Sequence, residues 1–308
     1  MSKFYTSVER FGSNILHRGY ENGKRFSRKV KFQPTLYIGV KHETKFKSLS
    51  SGRYLEPMQL DSMRDAKDHI EKYKDVHGFE IAGSSNYVAQ FIQENYPNEI
   101  KYDPALINIV SFDIEVDIAT GYPNVDLADK EITSIAYKSS KSSDYHLLGR
   151  KDYDKHKTLL NVHPDNIHFM KFDTEHALLK RFKELWINDY PDIVTGWNVE
   201  YFDIQYIITR MKVLFGEEWV RDLSPWRTMR QTGREFYGKM QNTYEISGVA
   251  VIDYMDCFKK FGYKYGPQES WKLDHIANVV LGEKKLDYSE YGNLNALYEQ
   301  NPQLYLDY

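Results

Sequence analysis

Two carboxylates one residue apart, Asp113 and Glu115, interrupt the otherwise apolar run Ile107-Asn-Ile-Val-Ser-Phe-Asp-Ile-Glu-Val116. On a strand, positions i and i+2 project from the same face, so both carboxyl groups converge on one point. Like charges at that separation repel and raise each other's pKa unless a cation holds them. Taken alone, the motif has a plainer reading, a strand end whose carboxylates reach water. A second group lies further along, Thr195-Gly-Trp-Asn-Val-Glu-Tyr-Phe-Asp203: a strand end, a tight turn, and an aspartate at the start of a helix. Asp203 alone could do no more than cap that helix, worth ~1 kcal/mol. Together, three carboxylates meeting at one sheet edge make a hard-oxygen site for two Mg²⁺ or Mn²⁺ ions. Such ions, ~3.5–4 Å apart, activate a water and stabilise the leaving oxygen of a phosphodiester.

The elements that must position these groups can be read from pattern. Residues 4–40 alternate apolar and polar positions, and Glu21-Asn22-Gly23-Lys24 supplies the Asn-Gly pair of a tight hairpin turn. Met63, Ala66, Ile70 and Tyr73 have helical spacing, and a loose segment rich in Ser, Asn and Pro runs on to about Tyr102. A β-rich α+β domain over 1–103 is the expectation. Beyond it, Ile107–Val116, Glu131–Tyr137 and Tyr145–Leu148 read as strands of a mixed sheet. Asp173 is placed to cap a helix carrying Ala177, Leu178, Phe182, Leu185 and Trp186, and Asp192–Gly196 returns as a short strand. A helix with Ile204, Ile207, Ile208, Met211 and Leu214 on one stripe follows, stopped by Gly216. Gly248–Asp253 is a last strand, and Ser270 caps a helix bearing Leu273, Ile276, Ala277 and Val280. The second domain, 104–308, is therefore α/β.

Composition sets the outer bounds. The 308 residues carry 41 Lys and Arg against 44 Asp and Glu, so overall charge argues for neither a histone-like nor an acidic disordered chain. The mean conceals an asymmetry: residues 1–50 carry a net +8 and the remainder −11. Cys257 is alone and cannot form an internal disulfide, the first residues lack the apolar core of a signal peptide, and no apolar run approaches the ~20 residues of a membrane span. A reducing cytoplasm without membrane contact is the expectation.

At this point the chain resembles a known family. FDIE is similar to the first exonuclease motif, and TGWNVEYFD to the second, of the 3′→5′ proofreading domain of family B DNA polymerases, with T-even-like bacteriophage polymerases the nearest in pattern. The MSKFY start, EIKYD before the first motif, GVAVIDYMDCFKKF after the second and the final NPQLYLDY extend the likeness along nearly the whole chain. The resemblance implies an RNase H-like exonuclease domain, mixed sheet with flanking helices. In it Asp113 would bridge both metals, Glu115 would bind the ion carrying the attacking water, and Asp203 would serve the second ion. The family's third motif reads Tyr-x-x-x-Asp. Tyr308 aligns with its tyrosine, and the aspartate would be the fourth residue beyond. The internal Tyr122 to Asp126 match precedes the second motif and is set aside. On this reading the chain is a fragment or one half of a split gene, one ligand short and weakened as an exonuclease.

The same resemblance implies partners: single-stranded and primer-template DNA, the remainder of the polymerase chain, and through it a sliding clamp and replisome proteins, in the host cytoplasm. Proofreading must accept any base, so stacking planes matter more than base-edge readers. Trp197, Asn198 and Phe202 beside Asp203, and Tyr122 in a Gly-Tyr-Pro turn, are the candidates. Residues 226–246, with Arg227, Arg230, Arg234, Lys239 and a Tyr237-Gly238-Lys239 turn, resemble the hairpin that helps separate primer from template; Arg234 and Tyr237 are its candidate DNA contacts. A stand-alone exonuclease of the same superfamily and a non-catalytic nucleic-acid-binding module are the alternatives.

Overall fold

A computed structural model of the chain describes residues 3–236 and 238–308. They form two compact units, one up to Pro104 and one from Ala105 on. The first opens with three antiparallel strands, β1 (Lys3–Phe11), β2 (Asn14–Glu21) and β3 (Lys24–Lys31), with β2 central. The β2–β3 turn takes positive φ at both Asn22 and Gly23, which only such residues adopt cheaply. A second sheet, from β4 (Thr35–Val40), β5 (Phe46–Lys47), β6 (Tyr54–Gln59) and β7 (Ile81–Ala82), has the order β5-β6-β4-β7. Helix α1 (Met63–Tyr73) starts at Ser62, whose hydroxyl accepts from the Asp65 N–H.

The segment expected to be loose up to Tyr102 instead contains a second helix, α2 (Tyr87–Asn95), capped by Asn86. The reason is packing. Tyr87 and Phe91, four residues apart, lie on one helical face and enter a core with Ile15, Phe32, Leu36, Met63 and Ala66. Burying each aromatic contributes on the order of 2 kcal/mol, enough to override a polar local composition.

The second unit is built on six strands: β8 (Ile109–Val116), β9 (Ile132–Ser139), β10 (Tyr145–Gly149), β11 (Ile167–Lys171), β12 (Ile193–Gly196) and, after a hairpin of β13 (Met229–Phe236) and β14 (Lys239–Ile246), β15 (Ala250–Asp253). Their order is β11-β10-β9-β8-β12-β15, antiparallel across β8, β9 and β10 and parallel elsewhere. The architecture is mixed α/β. Its described residues also form the α-helices α3 (Glu175–Asn188), α4 (Gln205–Phe215), α5 (Glu217–Val220), α6 (Tyr254–Phe261), α7 (Leu273–Leu281), α8 (Leu294–Gln300) and α9 (Pro302–Asp307). The α3 cap is Thr174, one residue after the expected Asp173, because its hydroxyl reaches the Ala177 N–H. Gly216 ends α4 with φ 88°, as its position implied. Ser270 accepts from the Lys272 N–H in the turn before α7 and does not cap that helix. Among the described residues, no helix is long and apolar enough to cross a membrane.

Candidate active site

Strand β8 is the second unit's central device. Its even-numbered residues Val110, Phe112, Ile114 and Val116 are buried, and Phe112 packs on Phe182 and Trp186 of α3 at ring distances of 5.4 and 6.2 Å. Alternation then turns Asp113 and Glu115 to the opposite face. There they open on a cleft of about 340 Å³ shared with Ala136, Leu147, Leu160 and Tyr308. Asp113 keeps solvent-exposed surface and Glu115 is half-buried. Among the described residues, no hydrogen-bond donor reaches either carboxylate.

Asp203 arrives from the neighbouring strand. β12 pairs in parallel with β8 and ends at Gly196, where a Cβ would come within 3.0 Å of Val199, so the chain can turn tightly there. Asn198 then takes φ 62°, a left-handed conformation that Asn tolerates. Glu200–Ile204 forms a π-turn that runs into α4. Asp203 is therefore not the first-turn cap its position allowed. It is 3% exposed, and its Oδ1 accepts the Ile114 N–H at 3.2 Å, between Asp113 and Glu115 on β8.

The electrostatics follow from this crowding. Although Asp113 keeps exposed surface, the desolvation of its carboxyl in the cleft raises its pKa against the lowering pull of Lys285. Burial, then the Asp113 charge, pushes Glu115 up to about 7, again opposed by Lys285. Asp203 is held well above the usual carboxylate range by burial first and Asp113 second. Lys285 carried no signal in the sequence, because it sits in an irregular segment after α7. Its N–H donates to Asp274, and its ammonium lies 4.3 Å from the Tyr308 ring centroid. Tyr308 lies edge-on to Tyr288 at 4.9 Å, and burial followed by the Glu115 charge raises its pKa.

The remaining predicted residues spread out. Tyr122 is 93% exposed, beside a small groove with Asn293 and Asn295. The loop carrying it is clamped by α4: the Tyr206 hydroxyl accepts the Lys130 N–H and donates to the Lys130 carbonyl, while Arg210, paired with Glu175, donates to the Ala128 carbonyl. Trp197 turns to a different cleft, between α6 and α7, and donates to the Trp271 carbonyl at 2.9 Å. Phe202 stacks on Tyr206 at 5.9 Å against the core. Arg234 pairs with Asp256 at 3.2 Å and covers the Tyr201 ring. Tyr237 lies outside the described residues.

Among the described residues, no three His, Cys, Asp or Glu side chains already surround a space fit for a metal ion. The donor chemistry nevertheless fits a hard cation: oxygen ligands only, without hydrogen-bond donors on Asp113 and Glu115, and with one lysine against three acids.

A family model described as DNA polymerase family B, exonuclease domain, matches residues 79–276. Over its whole length the chain is 32% identical to the DNA-directed DNA polymerase of Enterobacteria phage T4 and 31% identical to that of Escherichia phage RB69, covering 36% of each. The DNA polymerase catalytic subunit of Human herpesvirus 8 type P is 27% identical across 67% of this chain, and the match covers 20% of that protein. The chain thus spans just over a third of the length of its phage relatives. With more than half of its residues under that model and full-length similarity to the two phage enzymes, the chain belongs to the family B DNA polymerases, as the part that contains their exonuclease domain.

Proposed function

We propose that this chain is the N-terminal and proofreading part of a phage-type replicative DNA polymerase. On an RNase H-like framework it removes 3′-terminal nucleotides from single-stranded DNA with two divalent cations, Mg²⁺ or Mn²⁺. The observation that carries the reading is the delivery of Asp203 onto the β8 backbone between Asp113 and Glu115. Three crowded acids with raised pKa values are costly to a fold and useful chiefly when a cation offsets them.

In this reading Asp113, Glu115 and Asp203 hold the cations. When bound, the ions would lower the pKa of a water and stabilise the departing oxygen. Lys285 faces the same carboxylates and adds positive charge where the phosphate must approach. Tyr308 lies beside Glu115 and can orient a water by its hydroxyl. Tyr122, exposed on its clamped loop, offers a stacking plane to any base. The water oxygen bonds to phosphorus and gives up a proton as the bond to the preceding 3′ oxygen breaks, and that oxygen takes up a proton from solvent, leaving a 3′ hydroxyl and a free nucleoside monophosphate.

The test is calorimetric titration of Mn²⁺ into the wild-type chain and into Asp113→Ala, with single-turnover digestion of a labelled single-stranded oligonucleotide. Mn²⁺ binding and slow hydrolysis by the wild type, both lost in the variant, are expected. Equal Mn²⁺ binding by the two proteins would overturn the assignment. DNA binding without hydrolysis by the wild type would favour a non-catalytic module.

A further inference from the structure

Asp253 ends β15 in register with Gly196 of β12 and is 5% exposed. Three backbone N–H groups donate to its carboxylate: Asn198 at 3.1 Å and Met255 at 2.9 Å to Oδ1, and Glu200 at 3.1 Å to Oδ2. The Met255 bond makes Asp253 the N-cap of its own helix, α6. The other two lie elsewhere: Asn198 in the turn after β12, and Glu200 at the first residue of the π-turn that bears Asp203. One buried carboxylate therefore joins the beginnings of two helical segments.

The backbone it holds there is not one that relaxes to itself. Asn198 has φ 62°, and the Ile204 N–H reaches five residues back to the Val199 carbonyl at 2.9 Å, whereas the Phe202 N–H reaches four back to Asn198 at 3.1 Å. A π-turn accommodates one residue more than an α-helix would and is rare, occurring mostly as single turns within α-helices. Rewinding by one residue would swing later side chains about 100° round the axis. Asp203 would then leave the Ile114 N–H and the edge shared with Asp113 and Glu115.

We propose that Asp253 is a positioning residue of the exonuclease site. By accepting from Asn198 and Glu200 it keeps the π-turn in register and so sets Asp203 against β8. The proposal rests on the functional reading above. It requires a carboxylate: an amide at this position replaces one acceptor with a donor that faces an N–H, and alanine removes all three bonds.

The experiment compares the wild-type chain with Asp253→Asn, Asp253→Ala and a core control, Leu178→Ala, at a temperature where all are folded. Three quantities are read: single-turnover hydrolysis of an oligothymidylate against its KM, Mn²⁺ affinity, and amide exchange at Ile114 and Ile204. The Asp253 variants should hydrolyse ten- to a hundredfold more slowly, roughly the cost of losing an outer-shell partner, with KM little changed. They should bind Mn²⁺ more weakly and exchange both amides faster, with Ala worse than Asn. Leu178→Ala should lose thermal stability and keep all three. Unchanged exchange at Ile204 and Ile114 in Asp253→Asn overturns the proposal, and so does a Leu178→Ala protein that matches the Asp253 variants. A wild type that neither binds Mn²⁺ nor hydrolyses DNA overturns the functional reading alone; the exchange data then still decide the role of Asp253.

Discussion

His17 in the first unit and Glu115 in the second are both titratable side chains set in β-strands, and the fold treats them oppositely. His17 is 2% exposed, bonded through Nε2 to the Tyr96 hydroxyl at 2.7 Å, and walled by the rings of Phe26 and Phe91. Burial, then nearby Lys3 and Arg28, lowers its pKa to about 4, so it stays neutral and satisfied. Glu115 sits in an open cleft, with no donor on its carboxylate among the described residues and a pKa raised to about 7. A sealed polar group with a partner belongs to the architecture; a recessed acid left without one marks a place prepared for something else.

The contrast can be broken in order of expected effect. Asp203→Asn keeps an acceptor for the Ile114 N–H but removes the charge. Oligonucleotide hydrolysis should fall by more than about 100-fold, beyond the usual cost of an outer-shell change, while the metal-free protein melts no lower. Retained hydrolysis would take Asp203 out of the site.

Next come two opposite pH dependences. Glu115 binds its proton more tightly folded than unfolded, so the second unit should lose stability as pH rises from 4.5 towards 7, by up to about 3 kcal/mol in metal-free protein. All five tryptophans lie in that unit, at positions 186, 197, 219, 226 and 271, so urea unfolding followed by their fluorescence reads it alone. Glu115→Gln should flatten the profile. His17 binds its proton less tightly folded than unfolded, so the first unit should lose a similar amount as pH falls from 6.5 to 4. Amide exchange in β2 reads this, and His17→Gln should remove it. Parallel trends in the two units would end the comparison. The smallest effect is expected at Tyr122: its change to Ala should raise KM for a short single strand about fivefold, the lower end of a stacking contribution, with kcat intact.

Much of this was legible in advance where the cause is local. The Asn22-Gly23 turn, the α1 face from Met63 to Tyr73 and the Gly216 stop depend on neighbours within a few residues, and each stands where the pattern put it. Helix α2 did not announce itself, since Tyr87 and Phe91 make it stable only by entering a core drawn from β2, β4 and α1. The partners of Trp197 and Arg234 have the same origin, since Trp271 and Asp256 reach them from segments distant in sequence.

The site divides along the same line. Strand pleating alone puts Asp113 and Glu115 on one face, because side-chain direction repeats every second residue whatever the rest of the chain does. Their uncompensated state, the approach of Lys285, the π-turn beneath Asp203 and the carboxylate of Asp253 that ties it down are products of tertiary packing. No spacing rule encodes them, since each depends on segments distant in sequence meeting at one sheet edge, and electrostatic interaction and hydrogen bonding respond to distance through space.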